Sequence, residues 1–361
     1  MATAKIENIS ITGLSCVLPT TRVDSVSRYT DFGKEAVDKI ISKTGVESIY
    51  RTFEEQTASD LAFVAAQNLF ERYDISPESI GALVLVTQTP DYRLPATACV
   101  LQHRLKIPEE CVCFDINLGC SGYLNGLYTV ASLMKNSDIN RALLLVAETP
   151  TKRISPLDRS LSMIFGDCGT ATLLEKDSSS GTMSFQFKTF GERFKKIIVP
   201  AGGYRNRFAS SERVVWPDGN IRSEHDTYMN GQDVFSFSIL EVPQYIEEFI
   251  HRQKTDAGAY DYFILHQANQ YILKQIAKKL KISPDKLPIS MKRFGNTSST
   301  SIPLTLAFLA ENNCTGDKRC LLSGFGVGLS WAAADITLDS DRIMPITHSD
   351  DYFTDGAVSH E

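Results

Sequence analysis

The sequence has no long apolar run, no excess of basic residues and no Cys-X-X-Cys pair. Its net charge is −6 at pH 7, so the basic surface typical of nucleic-acid-binding proteins is not expected. Apolar runs such as residues 142–147 fall far below the ~20 residues that a membrane-spanning helix needs. The N-terminus lacks the apolar core and the cleavage site of a secretory signal, and we therefore expect a cytoplasmic protein that binds neither nucleic acid nor membrane.

The cysteines and histidines give no sign of a disulfide framework or a metal site. The chain has eight cysteines and six histidines, and no two cysteines form a Cys-X-X-Cys pair. Without a secretory signal, disulfides are not expected. The histidines do not cluster with the cysteines, so we expect no zinc site and no other cofactor. Most of the cysteines are predicted to be small buried apolar side chains.

Strand and helix patterns alternate along the 361 residues, whose length suggests roughly two to three domain-sized units. Short apolar runs predict buried strands, and longer amphipathic segments predict helices, which together indicate α/β architecture. The predicted strands are 9–16, 82–87, 111–116, 142–147, 171–174, 262–265, 287–291, 319–323 and 330–338. The predicted helices are 59–73, 96–105, 121–134, 233–249, 271–280 and 297–310.

The two halves of the chain share a weak internal similarity. The phrase HRLKI ends at Ile107 and the phrase KKLKI ends at Ile282, 175 residues later. An internal duplication explains this spacing, and coincidence is the alternative. We predict an N-terminal half over residues 1–176, a C-terminal half over 177–338 and an acidic tail over 339–361. Residues 201–227 are predicted to form a long loop, of the kind that often covers an active site.

One cysteine, Cys120, has the surroundings of a nucleophile. It lies in DINLGCSGYLNGLY, between a predicted strand and a predicted buried helix. The helix dipole and free N–H groups at a helix start are expected to lower the pKa of its thiol. Gly119 is expected to allow an unusual backbone angle in the turn. The alternative is a buried structural cysteine, and only a partner base would favour catalysis.

Two further phrases supply polar partners for that cysteine. His266 follows a buried strand in FILHQANQ, and Asn296 precedes a helix in RFGNTSSTSIP. The structural alternatives are a core histidine bonded to backbone and a helix N-cap. Together, a thiol, an imidazole and a carboxamide can attack a thioester and then stabilise an enolate.

In combination, these phrases resemble the β-ketoacyl-acyl carrier protein synthase III family of the thiolase superfamily. The resemblance runs from about residue 7 to about residue 338 and rests on KTGVESIYR, TASDLA, GCSG, FGDCGTATLL, MNGQDVF, HQAN, GNTSS and GFGVGLSW. It implies an α/β fold, the thiolase-like αβαβα five-layer arrangement made from two duplicated halves. It also implies a homodimer joined through its central sheets.

The family's catalytic roles carry over to matching positions of this chain. The resemblance implies that Cys120 takes an acyl group from a donor thioester. It implies that His266 and Asn296 bind the carbonyl of a malonyl thioester during decarboxylation. The backbone N–H groups of Cys120 and Val327 would form the oxyanion hole of the loading step. Val327 stands where the family usually has glycine, so its backbone angles must be ones that valine tolerates.

The donor site departs from the family pattern. The family usually has a tryptophan that stacks on the adenine of coenzyme A and, four residues later, an arginine. Lys39 and Lys43 stand at these positions and replace neither the indole nor the planar guanidinium. Arg159 matches a second arginine on the adenine side. Acyl-coenzyme A is the donor that the resemblance implies, an acyl carrier protein thioester is the alternative, and the two lysines are equally typical of solvated surface charge.

The surface that would bind the carrier protein is also altered. Tyr271 and Ser236 stand where the family has basic residues. Lys278 and Lys279 match the family and would meet an acidic acyl carrier protein, or else form an ordinary polar helix face. Leu94, in TQTPDYRLPATA, stands where the family has the residue that sets the depth of the acyl pocket across the dimer.

The sequence therefore favours a 3-oxoacyl-acyl carrier protein synthase III-like condensing enzyme that acts in fatty-acid or related acyl-chain biosynthesis. It would load an acyl group on Cys120 and then condense it with malonyl-carrier protein, releasing carbon dioxide. A second hypothesis is a related acyltransferase that moves an acyl group from a carrier protein to an amine or hydroxyl. A third is a catalytically silent partner subunit, which the presence of Cys120 and His266 argues against.

Overall fold

The computed structural model describes residues 2–312 and 314–356. Its strands are β1 (Ala2–Ile6), β2 (Ile9–Leu18), β3 (Arg22–Asp24), β4 (Ser48–Tyr50), β5 (Ala82–Val86), β6 (Val112–Ile116), β7 (Arg141–Glu148), β8 (Cys168–Lys176), β9 (Met183–Thr189), β10 (Ile197–Ile198), β11 (Val214–Val215), β12 (Ile221–Arg222), β13 (Tyr228–Met229), β14 (Tyr262–Leu265), β15 (Asp317–Gly326), β16 (Ser330–Asp339) and β17 (Thr347–His348). Its α-helices are α1 (Tyr29–Phe32), α2 (Lys34–Thr44), α3 (Ala58–Tyr73), α4 (Thr97–Arg104), α5 (Gly122–Lys135), α6 (Gly231–Arg252), α7 (Gln270–Leu280), α8 (Met291–Phe294) and α9 (Ser301–Glu311).

Two mixed sheets share one topology. The six-stranded sheet has the order β17-β2-β8-β7-β5-β6, and the five-stranded sheet has the order β1-β9-β16-β15-β14. In the first sheet, β8 is antiparallel to β2 and β7, while β5 is parallel to β7. In the second sheet, β16 is antiparallel to β9 and β15, while β14 is parallel to β15. The two phrases that suggested a duplication end at equivalent places, just after α4 and just after α7.

The helices form three layers around the two sheets. Helix α5 contacts β5 and β7 of one sheet and β15 and β16 of the other, and α9 also contacts strands of both sheets. Helices α3 and α4 cover the outer face of the six-stranded sheet, and α6 and α7 cover that of the five-stranded sheet. The predicted five-layer αβαβα arrangement is confirmed. Within the residues described, no helix combines the length and the apolar character needed to cross a membrane.

The apolar sequence of α5 explains its central position. A helix between two sheets must be apolar on opposite faces, because no face reaches water. Six side chains of α5 have no exposed surface: Tyr123, Leu124, Leu127, Val130, Ala131 and Met134. They join the largest apolar cluster of the molecule, which holds the two sheets together. This packing fixes the N-terminus of α5 beside residues that follow strands of the two sheets.

The predicted strand over residues 287–291 is wrong. The chain forms no strand there, and α8 begins at Met291. The side chain of Gln267 binds the backbone of this segment: its Oε1 accepts from Ser290 N at 3.0 Å, and its Nε2 donates to Pro288 O at 3.4 Å. Pro288 also lacks the N–H that a sheet ladder requires. A glutamine side chain therefore takes the hydrogen bonds that a neighbouring strand would have made.

The acidic tail is ordered against the body as far as Gly356. Strand β17 pairs in parallel with β2, and Gln56 Nε2 donates to the carbonyls of Ser349 and Asp351, each at 3.0 Å. Farther along, Phe353 N donates to Asp60 Oδ1 at 2.9 Å. Residues 357–361 lie outside the described residues. The tail thus adds an edge strand to the six-stranded sheet.

The predicted division at 176/177 falls between β8 and β9, where the chain passes from one sheet to the other. Each sheet also receives an edge strand from elsewhere in the chain. Strand β1 pairs with β9 in the five-stranded sheet, although it precedes the first half's sheet in the sequence. The predicted long loop over 201–227 contains one short antiparallel hairpin, β11–β12.

Candidate active site

The residues proposed for catalysis meet in one cavity. This cavity has a volume of about 200 Å³, and Cys120, His266, Asn296 and Val327 all line it. Its other walls are largely apolar, with Ile164, Phe165, Met229, Val234, Phe235 and Phe325 among them. Residues from both halves of the chain therefore converge at the end of the buried helix α5. A largely apolar lining beside a thiol suits an acyl chain attached to the sulfur.

The turn that carries Cys120 is held tightly before α5. Gly122 N donates to Gly119 O at 2.6 Å. The predicted reason for Gly119 is wrong, because its φ is not in the positive region. Space is what requires glycine there: a Cβ at this position would lie 2.5 Å from Gln88 Oε1 and 2.5 Å from Val327 Cγ1. Gly119 allows the close approach of the strand end that carries Val327.

The resting thiol of Cys120 differs from the predicted activated thiolate. Burial raises its pKa above the ordinary value of 9.0. Hydrogen bonds from the backbone N–H groups of Val327 and of Cys120 itself act in the opposite direction, and so does the positive charge of Arg153. Burial has the larger effect, because removing a thiolate from water costs more free energy than these interactions supply. The resting nucleophile is therefore a neutral thiol whose charged form faces two N–H groups.

The end of β15 approaches the nucleophile closely. A Cβ on Gly326, whose φ is +157°, would lie 2.6 Å from Cys120 Sγ. Val327 follows, and it is not among the residues with positive φ, so valine is tolerated where the family usually has glycine. The Val327 N–H hydrogen bonds to the Cys120 sulfur. When an acyl carbonyl is attached to this sulfur, the Val327 N–H is therefore placed to donate a hydrogen bond to the oxyanion that forms on the carbonyl.

His266 is a buried neutral imidazole at the end of β14. It is 2% exposed, and burial lowers its pKa to about 4. Its Nδ1 lies 2.7 Å from Ser301 Oγ, and the ring meets Phe325 edge-on with centroids 5.6 Å apart. When the Ser301 hydroxyl donates to Nδ1, the proton of the neutral ring resides on Nε2. His266 can then act as a hydrogen-bond donor without carrying charge.

Asn296 presents its amide nitrogen to the cavity. Its Oδ1 accepts from Ser298 N at 2.9 Å, and its own backbone N donates to Ile164 O at 2.8 Å. The bond to Ser298 belongs to the turn before α9, whose N-cap is Thr300. The predicted alternative, in which Asn296 serves as a helix N-cap, therefore accounts for the bond made by Oδ1 and not for Nδ2. Among the residues described, Nδ2 has no hydrogen-bond partner, which leaves its two protons for a ligand.

Two charged residues of the site were missed by the sequence reasoning. Glu148, at the end of β7, is fully buried and accepts from Ser299 Oγ at 3.0 Å. Burial raises the pKa of its carboxyl group. Arg153, in the turn after β7, lines the cavity with Cys120. Glu148 could have been predicted from the sequence, because it ends the apolar run RALLLVAE and polar groups at strand ends often belong to a functional site. No comparable signal marks Arg153.

The three cations proposed for the donor site lie together. Lys39 and Lys43 on α2 and Arg159 line one open groove, separate from the cavity that holds Cys120. All three are exposed. None of them belongs to an ion pair among the residues that the structure describes. A cluster of unpaired cations at a groove is suited to phosphate groups.

The remaining predicted contacts lie outside the cavity. Lys278 and Lys279 occupy the last turn of α7, where Lys279 Nζ donates to Ile239 O at 2.6 Å. Tyr271 is the second residue of the same helix, and its ring stacks on Phe235. Leu94 is 75% exposed and does not reach the cavity within this chain.

No metal site accompanies these residues. Within 2–312 and 314–356, no group of three or more His, Cys, Asp or Glu side chains is arranged to hold a metal ion. The chemistry described above uses a thiol, neutral hydrogen-bond donors and backbone N–H groups. Each of these comes from the protein itself.

Comparisons with known proteins place the chain in one family. The family described as "3-Oxoacyl-[acyl-carrier-protein (ACP)] synthase III" matches residues 114–191, and its C-terminal counterpart matches residues 250–338. A relative from Streptococcus gordonii, named "Beta-ketoacyl-[acyl-carrier-protein] synthase III", is 33% identical over 87% of this chain and 94% of its own. A relative of the same name from Clostridium perfringens is 30% identical over 92% of this chain and 100% of its own.

The comparison of structures agrees. The crystal structure of a 3-oxoacyl-(acyl-carrier protein) synthase from Burkholderia xenovorans superimposes with a TM-score of 0.91. The two sequences are 33% identical, and the match covers 96% of this chain and 99% of the other. The two segments matched by the family models contain Cys120, His266, Asn296 and Val327. The chain belongs to the 3-oxoacyl-acyl carrier protein synthase III family.

Proposed function

We propose that this acyltransferase loads an acyl group on Cys120 and then joins it to the enolate formed by decarboxylation of a malonyl-carrier protein. The observation that carries the proposal is the meeting of Cys120, His266, Asn296 and the Val327 N–H in one narrow cavity. Each has a separate task in a two-step condensation. The product is a 3-oxoacyl thioester, and the by-product is carbon dioxide.

In the loading step, the sulfur of Cys120 attacks the carbonyl carbon of the donor thioester. The carbon–sulfur bond to the donor carrier then breaks, and the proton of the Cys120 thiol ends on the departing carrier thiol. The N–H groups of Cys120 and Val327 already face the sulfur, so both are suited to bind the tetrahedral oxyanion. Because both are backbone groups, side-chain substitution leaves them in place.

In the condensation step, the malonyl carboxylate leaves as carbon dioxide, and its electron pair forms an enolate. The enolate oxygen would accept hydrogen bonds from His266 Nε2 and Asn296 Nδ2. A neutral imidazole with a pKa of about 4 does not protonate the enolate and only donates to it. The enolate carbon attacks the acyl–Cys120 carbonyl, the Cys120 thiolate leaves, and it takes one proton from solvent.

The contacts of the substrates outside the cavity are also part of the proposal. Lys39, Lys43 and Arg159 would bind phosphate groups of an acyl-coenzyme A or acyl-carrier protein donor. Lys278 and Lys279 would contact the acidic surface of the carrier protein. The enzyme would use no metal or other cofactor, and a cytoplasmic location stays a prediction.

A homodimer completes the acyl pocket in this proposal. Strand β6 lies at the edge of the six-stranded sheet, where a second copy would extend the sheet. The loop of Leu94 is tied to this strand, because Thr97 N and Ala98 N donate to Asp115 of β6 at 2.7 and 2.8 Å. An exposed Leu94 beside such an edge would reach the cavity of the other protomer.

Transfer to an amine or hydroxyl is not favoured, because the compared relatives are named as synthases. A decarboxylation assay with malonyl-carrier protein and an acyl thioester tests the choice. Condensation releases carbon dioxide and lengthens the acyl chain, whereas simple transfer leaves the malonyl group intact. Cys120→Ser should abolish acylation of the protein, as measured by intact-protein mass spectrometry. A normal yield of acyl adduct on another residue would refute the role of Cys120.

A further inference from the structure

Arg153 is a fixed cation inside the cavity of the nucleophile. It ends the short turn that follows β7 and lines the same cavity as Cys120. Its backbone carbonyl accepts two hydrogen bonds from Thr227, one from the N–H at 2.7 Å and one from Oγ1 at 3.0 Å. Because Thr227 ends the long loop over 201–227, that loop anchors the base of the Arg153 side chain.

Within residues 2–312 and 314–356, the guanidinium of Arg153 forms no ion pair. Among the residues that the structure describes, every other arginine that is not exposed has a carboxylate within 4.0 Å. Arg104 pairs with Asp60 at 2.9 Å, and the buried Arg222 pairs with Asp218 at 2.8 Å. Arg153 has no such carboxylate, and its Nε is buried without a hydrogen-bond partner in the described chain.

An unpaired guanidinium in a largely apolar cavity is costly unless an anion joins it during the reaction. Its charge acts on the nucleophile, because Arg153 lowers the pKa of Cys120 as well as that of Glu148. Glu148 itself is more than 4.0 Å from the guanidinium, since the two form no ion pair. The anion that fits this position is therefore carried by the substrate, close to the carbonyl bound to Cys120.

We propose that Arg153 binds a free carboxylate on the acyl group that is loaded on Cys120, so that the preferred donors are thioesters of dicarboxylic acids. This inference rests on the proposed loading of Cys120. The planar guanidinium offers two parallel N–H donors that match a carboxylate. The loading reaction is unchanged: the sulfur displaces the carrier thiol, and the distal carboxylate keeps its charge throughout.

The malonyl carboxylate is a poorer match for Arg153. During decarboxylation, negative charge leaves that carboxylate and moves to the enolate oxygen. A guanidinium bound to the carboxylate would stabilise the reactant more than the transition state and would slow the step. A carboxylate on the loaded acyl group has no such disadvantage, because its charge is the same before and after every step.

The test compares succinyl-coenzyme A with pentanoyl-coenzyme A, which is similar in length but uncharged. Single-turnover acylation of Cys120 is followed by mass spectrometry in the wild type, Arg153→Met, Arg153→Lys and Lys152→Met. We expect the wild type to load succinyl faster, and Arg153→Met to lose roughly 10- to 100-fold more in succinyl loading than in pentanoyl loading. Arg153→Lys should restore part of the loss. Lys152, an exposed neighbour whose Nζ donates to Glu54 O, is the matched control.

Three other results would overturn the inference. If Arg153→Met slowed both donors equally and raised the pH at which Cys120 is alkylated, the arginine would serve the thiolate. If loading were intact and only decarboxylation of malonyl-carrier protein changed, Arg153 would act on the malonyl group and not on the loaded acyl group. If the wild type loaded neither donor on Cys120, the proposed function would fail, and the inference with it. Thermal unfolding of each variant checks that the fold is retained.

Discussion

At Cys120, burial and two backbone N–H groups act on the thiol in opposite directions. Burial prevails, and the pKa lies above its ordinary value. His266, whose pKa is about 4, is uncharged near neutrality and supplies no imidazolium to hold a thiolate. The site therefore differs from cysteine hydrolases, in which a thiolate–imidazolium pair exists at rest. Activation of the sulfur depends on the substrate carbonyl reaching the oxyanion hole.

This arrangement predicts the pH dependence of alkylation. Only the thiolate reacts with iodoacetamide, and a raised pKa makes the thiolate rarer at any given pH. The alkylation rate of Cys120 should therefore rise with pH through neutrality, with a midpoint above the ordinary pKa of a cysteine thiol. Peptide mass spectrometry measures it, with the exposed Cys99 as an internal reference. A constant high rate below about pH 7 would contradict the neutral resting pair.

In the proposed mechanism, Asn296 acts in the condensation step and not in the loading step. In Asn296→Ala the enolate loses one hydrogen-bond donor, which typically costs on the order of 10²–10³ in rate. Loading of Cys120 should persist, because its oxyanion hole consists of backbone groups. Circular dichroism would first check that the variant is folded. Single-turnover acylation and release of labelled carbon dioxide would then be measured on the same preparation.

Asn296→Asp is the matched control. Its carboxylate can still accept from Ser298 N, as Asn296 Oδ1 does at 2.9 Å, but it has no Nδ2 donor. Both variants should lose decarboxylation while loading continues. If Asn296→Asp kept normal release of carbon dioxide, the residue would serve only the turn.

At the scale of elements, the tail contacts the first turn of α3, which contains Asp60. Arg104 lies between two rings, 4.5 Å from Phe63 and 4.5 Å from Phe353 of the tail. Asp60 binds Arg104 at 2.9 Å and accepts from Phe353 N at 2.9 Å. The tail thus covers a buried ion pair that water would otherwise reach.

Phe353→Ala should lower the free energy of unfolding by about 1–2 kcal/mol, since it removes a half-buried ring and one side of the Arg104 sandwich. Chemical denaturation measures the change. Thr354→Ala, at an exposed neighbouring position, should stay within about 0.5 kcal/mol of the wild type. Equal stability of both variants would mean that the tail is not part of the folded body.

The sequence predicted the site best for residues that lie beside the ends of buried strands or helices. Cys120, His266 and Asn296 were predicted from their places next to buried strands or helices, and they share one cavity. The strand predicted over 287–291 failed because the Gln267 side chain, 20 or more residues away, binds that backbone. Arg153 was missed because a basic residue in a polar turn is usually solvated, and only the fold shows that no carboxylate of the described residues pairs with it.

At the scale of the whole molecule, the groove at α2 is where we propose that the carrier of the acyl donor binds. Lys39, Lys43 and Arg159 line it, without an aromatic platform for adenine at the two lysine positions. Base stacking contributes roughly 1–3 kcal/mol, by analogy with nucleic-acid sites. We expect carrier-protein thioesters to be used at least as well as coenzyme A thioesters of the same acyl group. A much higher kcat/KM for the coenzyme A thioester would contradict this.

In the proposed homodimer, a second copy of the chain completes the acyl pocket. Strand β6 ends the six-stranded sheet, and Val112 at its start is 41% exposed. A long unprotected edge favours pairing with another strand, and a lysine placed there opposes it. Wild-type protein should therefore sediment at twice the chain mass, and Val112→Lys should weaken the dimer at least tenfold.

The matched control for this prediction is Val214→Lys, because Val214 is also exposed, at 52%, but lies in the hairpin of the 201–227 loop. It should leave sedimentation unchanged. Leu94, exposed at 75% in a single chain, links assembly to chemistry: only in the dimer would Leu94→Ala shift the preferred acyl length. If the wild type were monomeric at micromolar concentration, or if Leu94→Ala changed selectivity in a monomeric variant, the pocket would be closed by this chain alone.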